Sequence, residues 1–161
     1  MFELCAIALG SNLSSEVGDS EKIVNSAIAQ LASYSEIEVV RVSHWYRTRA
    51  ITLPNSAPQP DYINGCAVLK TSFNPFQLLQ VLFNTEQMFG RERHELWGAR
   101  TLDLDLLLFG DRQINTPELV LPHPRMGDRA FVLLPLAEIA ADWIHPVNGL
   151  AIATLALKTT L

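Results

Sequence analysis

The chain has 161 residues, of which 48% are hydrophobic and only 18% charged, enough apolar material for one globular domain with a substantial core. Its formal charge of -5 excludes a broadly basic nucleic-acid-binding surface, and its longest apolar runs fall far short of the ~20 residues that cross a bilayer. The start, Met1-Phe2-Glu3-Leu4, lacks the basic and apolar segments of a secretion signal, and Cys5 and Cys66 read as buried free thiols, so a cytoplasmic protein is expected, with neither nucleic acid nor membrane as partner.

The first element is an apolar run from Leu4 to Leu9, ended by Gly10-Ser11-Asn12, which reads as a buried strand with a turn at its exit. Ile23, Val24, Ala27, Ile28 and Leu31 follow at helical spacing and predict a helix from Asp19 or Ser20 to Ser33. The segment Ile37 to Thr48, rich in Val, Trp and Tyr, reads as one long strand. Residues 51–60 carry Pro54, Pro58 and Pro60 and form a loop, after which Tyr62 to Thr71 is a second strand antiparallel to the first of the pair. Asn74-Pro75 supplies a cap and a first-turn proline for a helix that places Leu79, Leu82, Glu86 and Phe89 on one stripe and stops at Gly90. Glu86 is the odd member of that stripe, lying either at its margin or buried against a hydrogen-bond partner.

A polar loop, 91–100, leads into a strand from Leu102 to Phe109. A short hairpin or extended excursion is expected over Gln113 to Leu121, and Asp128 is expected to cap a helix through Phe131, Leu134 and Ile139 that Pro135 limits or bends. The order strand, helix, strand, strand, helix, strand is the split βαβ pattern. It predicts an α+β, ferredoxin-like βαββαβ sandwich with additional elements after the fourth strand, and a single domain over 1–161.

The strand after the polar loop carries the chemistry. Its period of two sends Asp103 and Asp105 to one face and Leu102, Leu104, Leu106 and Leu108 to the other, with Leu107 and Phe109 continuing the acidic face as apolar cover. An acid-x-acid pair is often only a solvated sheet face. Here it sits in a chain poor in charge and in an otherwise apolar strand, which points to a hard divalent cation such as magnesium bound through oxygen. Nine of the 12 basic residues are arginine, and Arg91, Arg93 and Arg100 flank the acids, which suits a small polyanion. No Gly-rich phosphate loop is present, so phosphate affinity must come from metal and arginine. Tyr62 and Asn64 share a strand face; they read as cross-strand packing or as a stacking and hydrogen-bonding surface for a planar heterocycle. His123, Arg129 and Phe131 bring an imidazole, a guanidinium and a ring into one short segment, and Trp97 sits in a loop too polar to bury an indole easily.

The segments Gly10-Ser11-Asn12-Leu13, Tyr46-Arg47-Thr48, Pro60-Asp61-Tyr62-Ile63-Asn64, Gly90-Arg91, Trp97-Gly98, Arg100-Thr101-Leu102-Asp103-Leu104-Asp105, Pro122-His123 and Arg129-Ala130-Phe131 occur in this order. Together they resemble the 6-hydroxymethyl-7,8-dihydropterin pyrophosphokinase family from Ala8 to about Ala140. The resemblance implies transfer of pyrophosphate from ATP to the hydroxymethyl group of the reduced pterin, with release of AMP, in folate biosynthesis. It also implies that Asp103 and Asp105 hold two Mg2+ ions, that Tyr62, Asn64 and Phe131 form the pterin pocket with Trp97 closing over it, and that Arg91 and Arg100 clamp the moving phosphates. His123 and Arg129, with Arg93, would hold the nucleotide, and Glu86 would support the pterin side from behind. Ala99 stands where the family usually has proline, and Pro124 where an aromatic is common. A monofunctional, monomeric enzyme is expected. Two other classes compete: a non-catalytic small-molecule sensor, which leaves the Asp pair without a purpose, and a metal-dependent nucleotidyltransferase or nuclease, which the acidic net charge opposes.

Overall fold

The computed structural model describes residues 1–12, 19–48, 62–90 and 101–159. The elements, in chain order, are β1 (Glu3–Ser11), α1 (Ser20–Ala32), β2 (Ile37–Val42), β3 (Tyr46–Thr48), β4 (Tyr62–Thr71), α2 (Pro75–Met88), β5 (Asp103–Phe109), a small hairpin of β6 (Ile114–Asn115) and β7 (Val120–Leu121), then α3 (Ala130–Ala140) and α4 (Ile152–Leu157). The main sheet runs β2-β4-β1-β5, every pairing antiparallel, with β3 also paired to β4. This is the ferredoxin-like βαββαβ order expected from the sequence.

Helix ends follow the local chemistry. The Asp19 carboxylate accepts the Lys22 N–H at 3.0 Å to start α1. Asn74 and Gln77 form a reciprocal capping box ahead of Pro75 in α2, and Gly90, at φ +78°, takes the left-handed conformation that ends it. The hydrophobic residues form two clusters, one on each face of the sheet. Ile7, Leu9, Ala67 and Leu69 meet α1 and α2 on one face. Ala6, Ala8, Cys66 and Val68 meet α3 and α4 on the other. Cys5 and Cys66 are free and buried, as expected, and lie in different clusters.

Three expectations need correction, and one element was not foreseen. The strand expected over Ile37 to Thr48 is two strands: Val42 pairs with Ala67 but Tyr46 pairs with Asn64, so the intervening residues bulge. Trp45, in the bulged stretch, packs against Gly65, where a Cβ would come within 2.5 Å of the indole.

In β5, Ile7 pairs with Leu106 while Ala6 pairs with Leu108, leaving Leu107 as an extra residue. That bulge returns Phe109 to the α1/α2 cluster and sends both Leu107 and Leu108 to the α3/α4 cluster, against simple alternation. Asp128 does not cap α3; it closes a 3-10 turn, and Arg129 occupies the cap position without a side-chain bond. Helix α4 was not foreseen. Its single turn buries Ile152, Leu155 and Ala156, a pattern too short to stand out from the sequence.

Candidate active site

Among the described residues, α3 and α4 cover the α3 side of the sheet along part of its length. Beyond them, β1 presents Gly10, β3 Thr48, β4 Tyr62 and Asn64, and β5 the two aspartates, which pair as Gly10 with Asp103 and Ala8 with Asp105. Alternation therefore delivers the acids to one face as expected, because the bulge in β5 begins only beyond Leu106.

Two clefts open here. One, of about 970 Å³, lies between the sheet and the start of α3, with Thr48, Tyr62, Asn64 and Phe131 on its walls. The other, of about 1040 Å³, runs along α2 toward the β6–β7 hairpin, with Phe76, Leu79, Phe83, Glu118, His123 and Arg125 on its walls. Among the described residues, four line both clefts: Tyr62, Asp103, Asp105 and Arg129. The acidic pair thus stands on the boundary.

In the first cleft, the buried Asn64 donates its side-chain N–H to Thr48 Oγ1 at 3.1 Å, which fixes the amide's orientation. Its Oδ1 lies against Gly10, where a Cβ would be only 3.0 Å away, so the absence of a side chain there lets the amide lie flat on the strand. Phe131, at the N-terminal end of α3, is 36% exposed, and the Arg129 guanidinium sits 5.6 Å from its ring centre, so the ring is available to stack on a ligand.

In the second cleft, two main-chain contacts hold β5 and His123 in place. The buried Glu86 carboxylate accepts the Leu104 N–H at 2.8 Å, between the two aspartates. The His123 N–H donates to the carbonyl of the bulged Leu107 at 2.9 Å. His123 Nδ1 accepts the Arg125 N–H at 3.2 Å, which assigns the ring proton of neutral His123 to Nε2, 4.0 Å from Asp105 Oδ1. Burial pushes this imidazole below its usual range; Arg129 and Arg125 add to the push and Asp105 opposes it.

The structure brings together Asp103, Asp105, Tyr62, Asn64, Phe131, His123, Arg129 and Glu86. Arg91, Arg93, Trp97 and Arg100 lie outside the described residues, as does the 51–60 loop. Sequence reasoning gave no role to Thr48, Arg125 or Glu118. Thr48 was open to inference, since it shares a strand face with Tyr46 and pairs opposite Tyr62; the other two needed the hairpin's position in space.

Fold and site together define a class: a ferredoxin-like α+β domain in which two adjoining pockets share a carboxylate pair. The family model for 7,8-dihydro-6-hydroxymethylpterin-pyrophosphokinase matches residues 6–141. The 2-amino-4-hydroxy-6-hydroxymethyldihydropteridine pyrophosphokinase of Synechocystis sp. is 51% identical over 92% of this chain and 72% of its own length. That of Bacillus subtilis is 42% identical over 86% and 79%. The fold is similar to Plasmodium falciparum HPPK-DHPS, with a TM-score of 0.73 at 16% identity over 98% of this chain; the match spans 41% of that longer chain. The chain belongs to the 7,8-dihydro-6-hydroxymethylpterin-pyrophosphokinase family, ATP-using transferases that move a pyrophosphoryl group to hydroxymethyldihydropterin in folate biosynthesis. Among the described residues, no helix is long and apolar enough to cross a membrane.

Proposed function

We propose that the transfer takes place at the boundary of the two clefts, with the pterin between Tyr62 and Phe131 and the nucleotide along α2. The observation that carries this assignment is that Asp103, Asp105, Tyr62 and Arg129 line both clefts. The hydroxymethyl oxygen would form a bond to the β-phosphorus of ATP as the bond from that phosphorus to the α,β-bridging oxygen breaks; AMP would leave, and the hydroxyl proton would pass to solvent.

Charge supports a role for magnesium. The described walls of the nucleotide cleft carry Glu86, Asp103, Asp105 and Glu118 against only Arg125, Arg129 and a His123 biased to its neutral form. A triphosphate would be repelled there without added cations. Two carboxylates on one strand face fit Mg2+, which favours one or two carboxylates plus phosphate oxygens and water over an all-protein cage. Bound at Asp103 and Asp105, the two ions would offset phosphate charge and make the pterin hydroxyl a better nucleophile.

The remaining tasks fall to the chain's own groups. Asn64, oriented by Thr48, offers amide hydrogen bonds to the edge of the heterocycle, and Tyr62 and Phe131 flank the ring and keep water from it. Arg129, on the boundary, compensates the charge that develops on the moving group, and the Nε2–H of His123 donates to a phosphate oxygen. Arg91 and Arg100 would add the charge the described walls lack, with Arg93 on the nucleotide and Trp97 over the pterin. Glu86 holds the strand that carries the acids. The whole chain acts as one domain and as a monomer. A complex with a non-hydrolysable ATP analogue, Mg2+ and pterin tests the assignment: metal between Asp103 and Asp105 supports it, and a pterin bound away from Asn64 refutes it.

A further inference from the structure

Strand β3 is three residues long and, among the described strands, pairs with β4 alone, yet it supplies the Thr48 hydroxyl that orients Asn64. So short a segment makes few ladder bonds and needs other anchors. On the α1 side it has Trp45, whose indole N–H donates to Asn25 Oδ1 at 3.0 Å. On the α3 side three contacts meet on one carboxylate. The Tyr46 hydroxyl donates to Glu138 Oε1 at 2.8 Å, the His44 main-chain N–H donates to Glu138 Oε2 at 2.9 Å, and His44 Nδ1 lies 2.8 Å from the same oxygen. Glu138 belongs to α3, the helix that begins beside Phe131.

One side chain therefore fastens the strand that sets the Asn64 amide to the helix that carries the opposite, aromatic wall. We infer that Glu138, through Tyr46 and His44, is a positioning residue for the pterin pocket, setting the distance between its hydrogen-bonding wall and its stacking wall. It touches no substrate and acts only through β3 and α3. This inference rests on the reading of the cleft between β4 and α3 as the pterin pocket. The arrangement needs both carboxylate oxygens, because one accepts from Tyr46 and the other from His44. Replacement by glutamine would put an N–H against one of these donors.

The test compares Tyr46→Phe and Glu138→Gln in the full chain, with steady-state KM measured separately for hydroxymethyldihydropterin and ATP. Loss of one charge-assisted hydrogen bond at a partly exposed site should raise the pterin KM about fivefold and leave the ATP KM within about twofold. Arg41→Met is the control for mere helix docking, since Arg41, on β2, donates from Nη1 to the Ile139 carbonyl of α3 at 3.0 Å. It should lower the melting temperature and leave both KM values unchanged. A pterin KM raised equally by Arg41→Met, or pterin and ATP KM rising together in Glu138→Gln, overturns the positioning role in favour of general support. Asn64→Ala separates the two levels. If it weakens pterin binding while Tyr46→Phe and Glu138→Gln do not, the positioning role falls and the pocket stands; if it leaves pterin binding unchanged, both fall.

Discussion

The Glu86 carboxylate reaches from α2 to accept the main-chain N–H of Leu104 at 2.8 Å, midway between Asp103 and Asp105. Among the described strands β5 is the edge of the main sheet, so alternate N–H groups face away from β1, and at this point burial would leave one without water. Glu86 satisfies it and so holds the strand on which both acids stand. Glu86→Ala should cost about 1–3 kcal/mol of stability, the scale of a buried unsatisfied donor, and lower AMP release. Glu86→Gln keeps an oxygen that can accept the same N–H and should retain most of both. Denaturant unfolding of the two variants checks this, and wild-type stability in Glu86→Ala would mean the Leu104 N–H has another acceptor within reach.

Asp103→Asn and Asp105→Asn preserve shape while removing the anionic oxygens on the boundary between the clefts. Each should leave circular dichroism unchanged and reduce AMP release by roughly 100-fold or more, since metal-bound charge compensation accounts for several kcal/mol of the barrier. The magnesium concentration for half-maximal rate should rise in both. Unchanged turnover and unchanged magnesium dependence in either variant would separate that carboxylate from the metal.

The acids were legible because alternation in a strand is local, and the stretch from Asp103 to Leu106 keeps its register with β1. Past Leu106 alternation failed, since the extra residue at Leu107 is set by how β5 pairs with Ala6 and Ile7, a relation between distant segments. The same cause split the strand expected over Ile37 to Thr48. The bulge shows only in the register with β4, where Val42 meets Ala67 but Tyr46 meets Asn64, and Trp45 packs there against Gly65, 20 positions away. Glu86 was visible as a carboxylate out of place on an apolar stripe; its partner, a backbone N–H on β5, carries no sequence signature. Thr48 was passed over for a related reason, because its importance lies in which side chain it orients.

Pterin affinity should depend on the two walls of the first cleft. Asn64→Ala removes directional amide contacts, and Phe131→Ala removes a half-exposed ring whose burial on ligand binding is favourable. Calorimetry with hydroxymethyldihydropterin should show about tenfold or greater weakening for each, with the affinity for an ATP analogue nearly unchanged, the pattern expected when a contact serves one ligand only. Equal weakening toward both ligands would locate these side chains in the general integrity of the domain.

His123 links nucleotide binding to protons. Burial, with Arg129 and Arg125, holds its imidazole below the ordinary value of 6.5 in the folded chain. In the window between that lowered value and about 6.5 the unfolded chain binds more protons than the folded one, so this residue's contribution to stability rises with pH and is lost as pH falls. A polyphosphate placed against Nε2 reverses the local field and favours the imidazolium, raising the pKa of His123 in the complex. Nucleotide binding near pH 6.5 should therefore take up protons. Titration calorimetry of the Mg2+–ATP analogue in buffers of different ionisation enthalpy measures this uptake directly, and His123→Asn should abolish it while weakening binding about tenfold, the scale of one hydrogen bond to a charged group. Proton uptake of the same size in His123→Asn would assign the titration to another group and remove His123 from contact with phosphate.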